Sequence, residues 1–259
     1  MVFLFLSILG AAVGSFLGAL TWRWPRNKSI FDGRSRCPHC NHVIHWYDNI
    51  PIFSYIILKG RCRDCKKPIP RRDLFIEVGT ALLFPFVFLL MPRISMNVGW
   101  LLDLGSFAAL FVVLAMAFFA VSVFIVDLEH QYIPDFLVFG LLVLVIGLFF
   151  ITSNPLIFSY LAAGFGASVF LLLLNLLTLG RGMGLGDVKL AIALGAILGF
   201  PLSVVFMFTS FILGSVLGLA LMAFGRAKLH QKIAFGPFLI VGFALTALYG
   251  FEILAFWGF

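Results

Sequence analysis

The sequence predicts an all-α polytopic membrane protein of about eight transmembrane helices, with a small cysteine-stapled loop domain after the first helix. Three observations predict it. The 259 residues are 62% hydrophobic and only 11% charged, with a mean hydropathy of +1.11, which is more apolar surface than one soluble core can hide. Apolar runs of spanning length recur along the chain. The main polar stretch, between Arg23 and Arg72, holds 12 of the 18 Lys and Arg residues and all four cysteines.

A span needs about 20 mostly apolar residues. On that measure the spans fall at 2–21, 74–91, 104–126, 136–152, 156–179, 188–204, 205–224 and 235–257. Residues 1–20 carry no charged side chain and no small-residue cleavage site, and Trp22-Arg23-Trp24-Pro25-Arg26 follows directly, so this is a retained first span. Around Gly199 and Pro201 the sequence favours a tight turn over a kinked re-entrant segment. The 32 phenylalanines are lipid-facing or packing residues and a signal of class only.

The net charge of +7 raises nucleic acid as a partner, but its distribution excludes that reading. Basic residues beside membrane segments set orientation. With the 22–73 loop inside, both termini lie outside. Arg181, Lys189, Arg226, Lys228 and Lys232 then also fall inside, leaving only Arg93 outside. The expected division is a first helix (1–21), a cytoplasmic loop domain (22–73) and a seven-helix membrane domain (74–259).

Cytoplasmic placement decides the cysteines. Cys37-Pro38-His39-Cys40 and Cys62-Arg63-Asp64-Cys65 form two C-x2-C pairs 21 residues apart. In a reducing compartment that pattern reads as a four-cysteine zinc site rather than two disulfides, a redox or iron role being the alternative, with His39, His42 and His45 as solvated neighbours. Between the pairs, Trp46-Tyr47-Asp48-Asn49-Ile50-Pro51-Ile52-Phe53-Ser54-Tyr55 is too polar and aromatic for a span. It reads as the folded part of a zinc-stapled domain of about 50 residues that lacks a core without its metal. Arg71 and Arg72 read as interface anchors.

Two acids stand out. Asp127 ends the apolar run from Phe118 to Val126, and Asp187 follows Gly182-Met183-Gly184-Leu185-Gly186 and precedes Val188-Lys189. An intramembrane acid costs roughly 2.5 kcal/mol or more, so each is a functional-site candidate. Asp127, at a helix C-terminus, faces the wrong end of the helix dipole. Asp187 has a structural alternative as an N-cap, but a cap needs no glycine run, whereas backbone approaching a substrate strand does. Lys189 is either an orientation charge or a partner that keeps one acid ionised. After Asp127, Pro134 suits the start of the next helix and Asp135 its first turn, while Glu129 and His130 read as loop.

Two adjacent carboxylates cannot both ionise, so such a pair holds one proton. The ionised member can deprotonate a water for attack on a carbonyl while the protonated member donates to its oxygen. A coupled pair titrates as a unit, so neither role is assigned to either residue.

The chain resembles the type IV prepilin peptidases over nearly its whole length. The resemblance rests on Gly14-Ser15-Phe16-Leu17, Arg36-Cys37-Pro38-His39-Cys40, Trp46-Tyr47-Asp48-Asn49-Ile50-Pro51, Gly60-Arg61-Cys62-Arg63-Asp64-Cys65, the Asp127 to Asp135 stretch, and Gly184-Leu185-Gly186-Asp187-Val188-Lys189. One departure is Gly18, where family members often carry Asn. The resemblance implies a membrane aspartyl endopeptidase of the bacterial inner membrane with Asp127 and Asp187 as its catalytic pair, supported by Gly184, Gly186 and Lys189. It implies cleavage of the basic leader of prepilins or pseudopilins of pilus and type II secretion systems after a glycine, then methylation of the new terminus from S-adenosylmethionine. Partners are then those substrates and membrane lipid, with no nucleic acid. S-adenosylmethionine is charged and reached from the cytosol, so the 22–73 loop and its flanking helix starts are expected to house methyl transfer. Asp48, Asp73 and Glu77 are the candidates there for holding the cofactor's amino group or the pilin's new terminus.

Two other classes remain at this stage. A transporter or proton channel would use Asp127, Asp187 and Lys189 as a relay, but the inserted zinc module and the lack of an inverted repeat count against it. A scaffold docking a partner through the zinc module leaves the paired acids unexplained.

Overall fold

The structure is a computed structural model describing residues 1–26, 35–180, 182–225 and 234–258. Arg181, Arg226, Lys228 and Lys232, on which much of the expected orientation rests, lie outside the described residues. Among the described residues there are nine α-helices and no strand, only two isolated β-bridges. The chain divides into two compact units, Met1–Leu89 and Leu90–Phe259.

In the first unit, α1 (Val2–Arg23) packs on the first part of α3 (Arg71–Asn97). Gly10, Gly14 and Gly18 recur every four residues and so share one face of α1. A Cβ on Gly10 would lie 2.9 Å from the Thr80 carbonyl carbon, one on Gly14 2.8 Å from Glu77 Cα, and one on Gly18 3.1 Å from Asp73 Oδ1. The partners run backwards along α3, so the helices are antiparallel with backbones in contact, the small-residue packing that membrane helices use in place of a hydrophobic drive. At Gly18, where the family often has Asn, the neighbour of an added Cβ is the end of the half-exposed Asp73 side chain rather than backbone. Arg72 closes this unit at the end of α1, donating to the Gly18 carbonyl at 3.1 Å and to Thr21 Oγ1 at 2.5 Å. It therefore ties the start of α3 to the last turns of α1 in addition to anchoring at the interface.

Between these helices lie the two cysteine knuckles, a 3-10 turn at Trp46–Asn49 and the short α2 (Phe53–Ile57). The knuckles repeat one geometry 25 positions apart. Cys37 N–H donates to His42 O (3.0 Å) and Cys62 N–H to Lys67 O (2.9 Å), while Asn41 and Lys66 occupy the same positive-φ turn position, both at 58°.

The second unit is built around α7 (Leu185–Leu198), in which every residue from Val188 onward is buried except Lys189 and Ile192. Against it pack α5 (Asp135–Ile151), α6 (Ile157–Leu177), α8 (Leu202–Ala223) and α9 (Gly236–Phe256), and α4 (Ser106–His130) packs on α5 and α9. Small residues explain the central place of α7: a Cβ on Gly164 of α6 would lie 2.9 Å from Ala196 N, and one on Gly195 2.9 Å from Gly164 Cα. At the far end from Asp187, Trp100 donates its indole N–H to the Ile197 carbonyl at 3.0 Å and packs edge-on against Phe149. In α9 the helix breaks at Tyr249 (φ −133°). Asn97 takes up the backbone groups there, accepting from Phe251 N–H at 3.0 Å and donating to Leu248 O at 3.3 Å. In lipid an unmet backbone group costs several kcal/mol, so this repair is what permits the break.

The eight predicted spans correspond to α1 and α3 to α9. Six of these helices are long and apolar enough to cross a membrane. The other two, α5 and α7, have 17 and 14 residues. At 1.5 Å per residue α7 reaches about 21 Å, short of a hydrocarbon core of about 30 Å. The boundary expected at 204 moves back to Leu198, because Gly199 turns the chain with φ +71°. Asp127 does not end its helix either, since α4 runs one turn further to His130.

Candidate active site and metal centre

Asp127 and Asp187 arrive by different routes. α4 stops where Gln131 takes a left-handed conformation (φ 52°) and its N–H closes on the Asp127 carbonyl at 2.8 Å. This fixes Asp127 one turn before the end. The chain then passes through Ile133 and Pro134 into α5, with Asp135 as first helical residue. Asp187 is the third residue of α7, whose cap is Gly184. The glycine run ahead of it is tied to the last turn of α6: Asn175 donates to Met183 O at 2.6 Å, and Gly182 N–H donates to Thr178 Oγ1 at 3.0 Å.

Both acids are buried, Asp127 4% and Asp187 7% exposed. Each accepts a backbone N–H from a glycine on Oδ2. Gly236 supplies it to Asp127 at 2.9 Å from the N-terminus of α9, and Gly184 to Asp187 at 3.2 Å. The two carboxylates lie near enough for the charge of one to act on the other. Ile133 links their surroundings. A Cβ on Gly186 would lie 3.0 Å from Ile133 Cβ, and one on Gly236 3.2 Å from Ile133 Cδ1 and 2.6 Å from Asp127 Oδ2. Gly186 and Gly236 are thus glycines for want of space, and the helix N-terminus at Gly236 is turned toward an anion it stabilises. Gly236 is a residue that sequence reasoning missed. The one signal for it was a glycine before Pro237 at the start of the last span.

Gly236→Ala places a methyl group against the Asp127 carboxylate. Displacing a reacting group by about 1 Å costs on the order of 10²-fold, so the variant is expected to lose about that much in kcat with KM little changed. Steady-state cleavage kinetics check it, and an unaltered kcat would contradict the positioning.

Lys189 points to neither buried acid. Its Nζ donates to Asp135 Oδ1 at 2.7 Å, with the two side chains 40% and 52% exposed. An ion pair this open contributes at most about 1 kcal/mol. Asp135→Asn is accordingly expected to retain cleavage within about fivefold of the parent, measured under conditions where Asp127→Asn has none.

In the first unit the four cysteines converge, all their sulfurs lying within 4.8 Å of one another. Cys37 and Cys65 are 3.8 Å apart, and none is in a disulfide. Four thiolates around one ion at about 2.3 Å stand about 3.8 Å apart, so the cluster fits a single tetrahedral metal ion. Two of the three neighbouring histidines serve elsewhere: His42 Nδ1 pairs with Asp64 at 3.1 Å, and His45 stacks on Tyr47. Asp48 is clasped by Arg63 through both oxygens, at 2.7 and 2.6 Å. This bidentate pair holds the intervening turn to the second knuckle. Glu77 accepts the Ile52 N–H on Oε2 at 2.8 Å, and Asp73 faces Gly18 and Arg72.

A largely apolar bundle with two buried acids from separate helices, joined to a four-cysteine knuckle module, defines an integral membrane protein with a two-carboxylate centre. Residues 8–91 match the bacterial peptidase A24 N-terminal domain, and residues 113–219 match the type IV leader peptidase family. The chain is 31% identical to the prepilin leader peptidase/N-methyltransferase of Stutzerimonas stutzeri, over 96% of this chain and 91% of the relative. It is 31% identical to the protein of that name from Pseudomonas aeruginosa, over 95% and 90%. With the one from Aeromonas salmonicida it shares 34% identity over 84% and 72%. No solved structure matches. The chain belongs to the type IV leader peptidase family.

Proposed function

We propose that this chain is a membrane aspartyl endopeptidase that removes the basic leader of type IV prepilins or pseudopilins after a glycine, then N-methylates the new terminus using S-adenosylmethionine. One observation carries the peptidase reading: two buried acids from α4 and α7, each held through Oδ2 by a glycine N–H, with Ile133 against Gly186 and Gly236. With Oδ2 engaged, Oδ1 is the atom each acid brings to the reaction. One carboxylate takes a proton from water as the water oxygen bonds to the scissile carbonyl carbon. The other, protonated, donates to the carbonyl oxygen. Collapse breaks the C–N bond, and the amine leaves with a proton from the pair.

Gly184 and Gly186 support this site by allowing close backbone approach, and Lys189 supports it through Asp135, holding the start of α5 to α7. The ion at Cys37, Cys40, Cys62 and Cys65 is zinc in a structural role, since four sulfurs leave no open position. The knuckles and the acids take the cytoplasmic side of the inner membrane, following the basic residues of the 22–73 loop.

Methyl transfer belongs to the first unit. S-adenosylmethionine supplies an electrophilic methyl group there, and the chain's part is to bind an amine and take its proton. Asp48 has both oxygens on Arg63, which leaves Asp73 and Glu77 as the acids for that work. The test is to supply cleaved, unmethylated pilin and labelled S-adenosylmethionine to the Asp187→Asn protein. Label transfer is the expected result. Its absence, with the parent protein active in parallel, would show that methylation depends on the aspartates.

A further inference from the structure

The connecting segment between the knuckles carries features that the peptidase site does not use. Ile52 has φ 62° and ψ −53°, an outlier for a β-branched residue, and the next N–H, of Phe53, closes on the Pro51 carbonyl at 2.6 Å. This is a γ-turn of the strained, positive-φ kind, which persists only when its surroundings hold it. Glu77 holds it, accepting the Ile52 N–H. Glu77 lies six residues into α3, about 9 Å along the axis from Arg71 at 1.5 Å per residue. It is inside the apolar stretch that begins at Leu74. The turn thus brings the chain back down beside α3 to the depth where the hydrocarbon begins, and α2 starts there.

The short helix is two-faced. Phe53, Ile56 and Ile57 stand at i, i+3 and i+4 and are 67%, 64% and 72% exposed. The other face turns inward: the Tyr55 ring covers Gly60, and Ser54 donates to the Ile50 carbonyl. A cleft beside the apolar face is lined by Ile57, Leu58, Lys59, Arg61, Cys62 and Lys66, and the Arg61 and Lys66 side chains are exposed. An exposed apolar stripe with exposed cations in the cleft beside it complements the acyl edge and phosphates of a leaflet.

We propose that α2 and the second knuckle form a lipid-docking surface, in which Phe53, Ile56 and Ile57 enter the leaflet at which α3 begins and Lys59, Arg61 and Lys66 bind the phosphates of anionic phospholipid. The surface fixes the height of the metal module over the membrane, and the Glu77 clasp is what presents it.

The experiment uses the full chain in vesicles of phosphatidylglycerol and phosphatidylethanolamine, with p-benzoylphenylalanine in place of Ile57 or, separately, of exposed Asp64. Metal content confirms that each labelled protein is folded. After irradiation, intact mass is expected to show a phospholipid adduct at position 57 and little or none at 64. A position 57 that yields no lipid adduct, or cross-links to another polypeptide, overturns the proposal. In the Ile57-labelled protein, Lys59→Gln with Lys66→Gln is expected to lower the excess of adduct in anionic over phosphatidylcholine vesicles about fivefold per charge. Equal yields in both lipids without those changes overturn the phosphate contacts.

Discussion

Asp127→Asn and Asp187→Asn are each expected to reduce prepilin cleavage by about a thousandfold or more, the upper range for removing a general acid or base, while both proteins still accumulate in the membrane. Accumulation follows from the contacts. An Asn at 127 keeps an oxygen to accept the Gly236 N–H, and an Asn at 187 keeps one for Gly184. Neither amide can carry the shared proton. Each acid is buried, and the ion pairs among the described residues include neither, so the substitution relieves a charge cost. Thermal stability is therefore expected to hold or rise as activity disappears. Loss of activity together with loss of the protein would instead assign these acids to folding.

The second large effect concerns the metal module. Replacing any one of Cys37, Cys40, Cys62 or Cys65 by Ser is expected to take the chain from one zinc to none, as measured by elemental analysis of purified protein. Apparent zinc binding in small folded modules amounts to about 10–16 kcal/mol. The side-chain contacts that tie the second knuckle to the preceding residues, the exposed His42–Asp64 pair, the Arg63–Asp48 clasp and the Arg63–Tyr47 ring contact, are too few to replace it. Burial opposes charge on Cys37, but the N–H groups of Cys40 and His39 at its sulfur outweigh it and bring the thiol down to about 7; against the His42 N–H, burial and the neighbouring sulfurs push Cys40 up to about 11, so a bound metal must displace that proton as well. Trypsin is accordingly expected to cut the Cys→Ser proteins within residues 35–70 well before the parent. A parent protein without zinc, and with two disulfides in non-reducing mass spectra, would remove both the metal and the cytoplasmic placement of the loop.

Local chemistry was legible in the sequence and long-range pairing was not. Eight apolar runs gave eight helices because hydrophobic length is itself the membrane signal, and the four cysteines gave their cluster because spacing dictates the knuckle. The turn at Gly199 was legible as a turn, but its effect of leaving α7 too short to span was not, because α7 is sheltered by neighbours distant in sequence. The acids could be singled out as costly residues. That Lys189 would reach Asp135, 54 positions away, rather than an adjacent acid is set by how α5 packs on α7. Gly236 carries no charge and no functional group, so a sequence gives no reason to place it against Asp127. Asp48 in the loop and Glu77 at the start of the second span read as equivalent candidates for methyl transfer, and only the fold gives one to Arg63 and the other to a strained turn.

The central claim is that the two acids cut a pilin leader, and the intact mass of a prepilin incubated with the detergent-solubilised protein and S-adenosylmethionine tests it most directly. The account predicts a product shortened by the leader, beginning at the residue after the glycine and heavier by one methyl group, and an unchanged prepilin with Asp127→Asn or Asp187→Asn. A prepilin left intact by the parent protein, or cut normally by either variant, would contradict it.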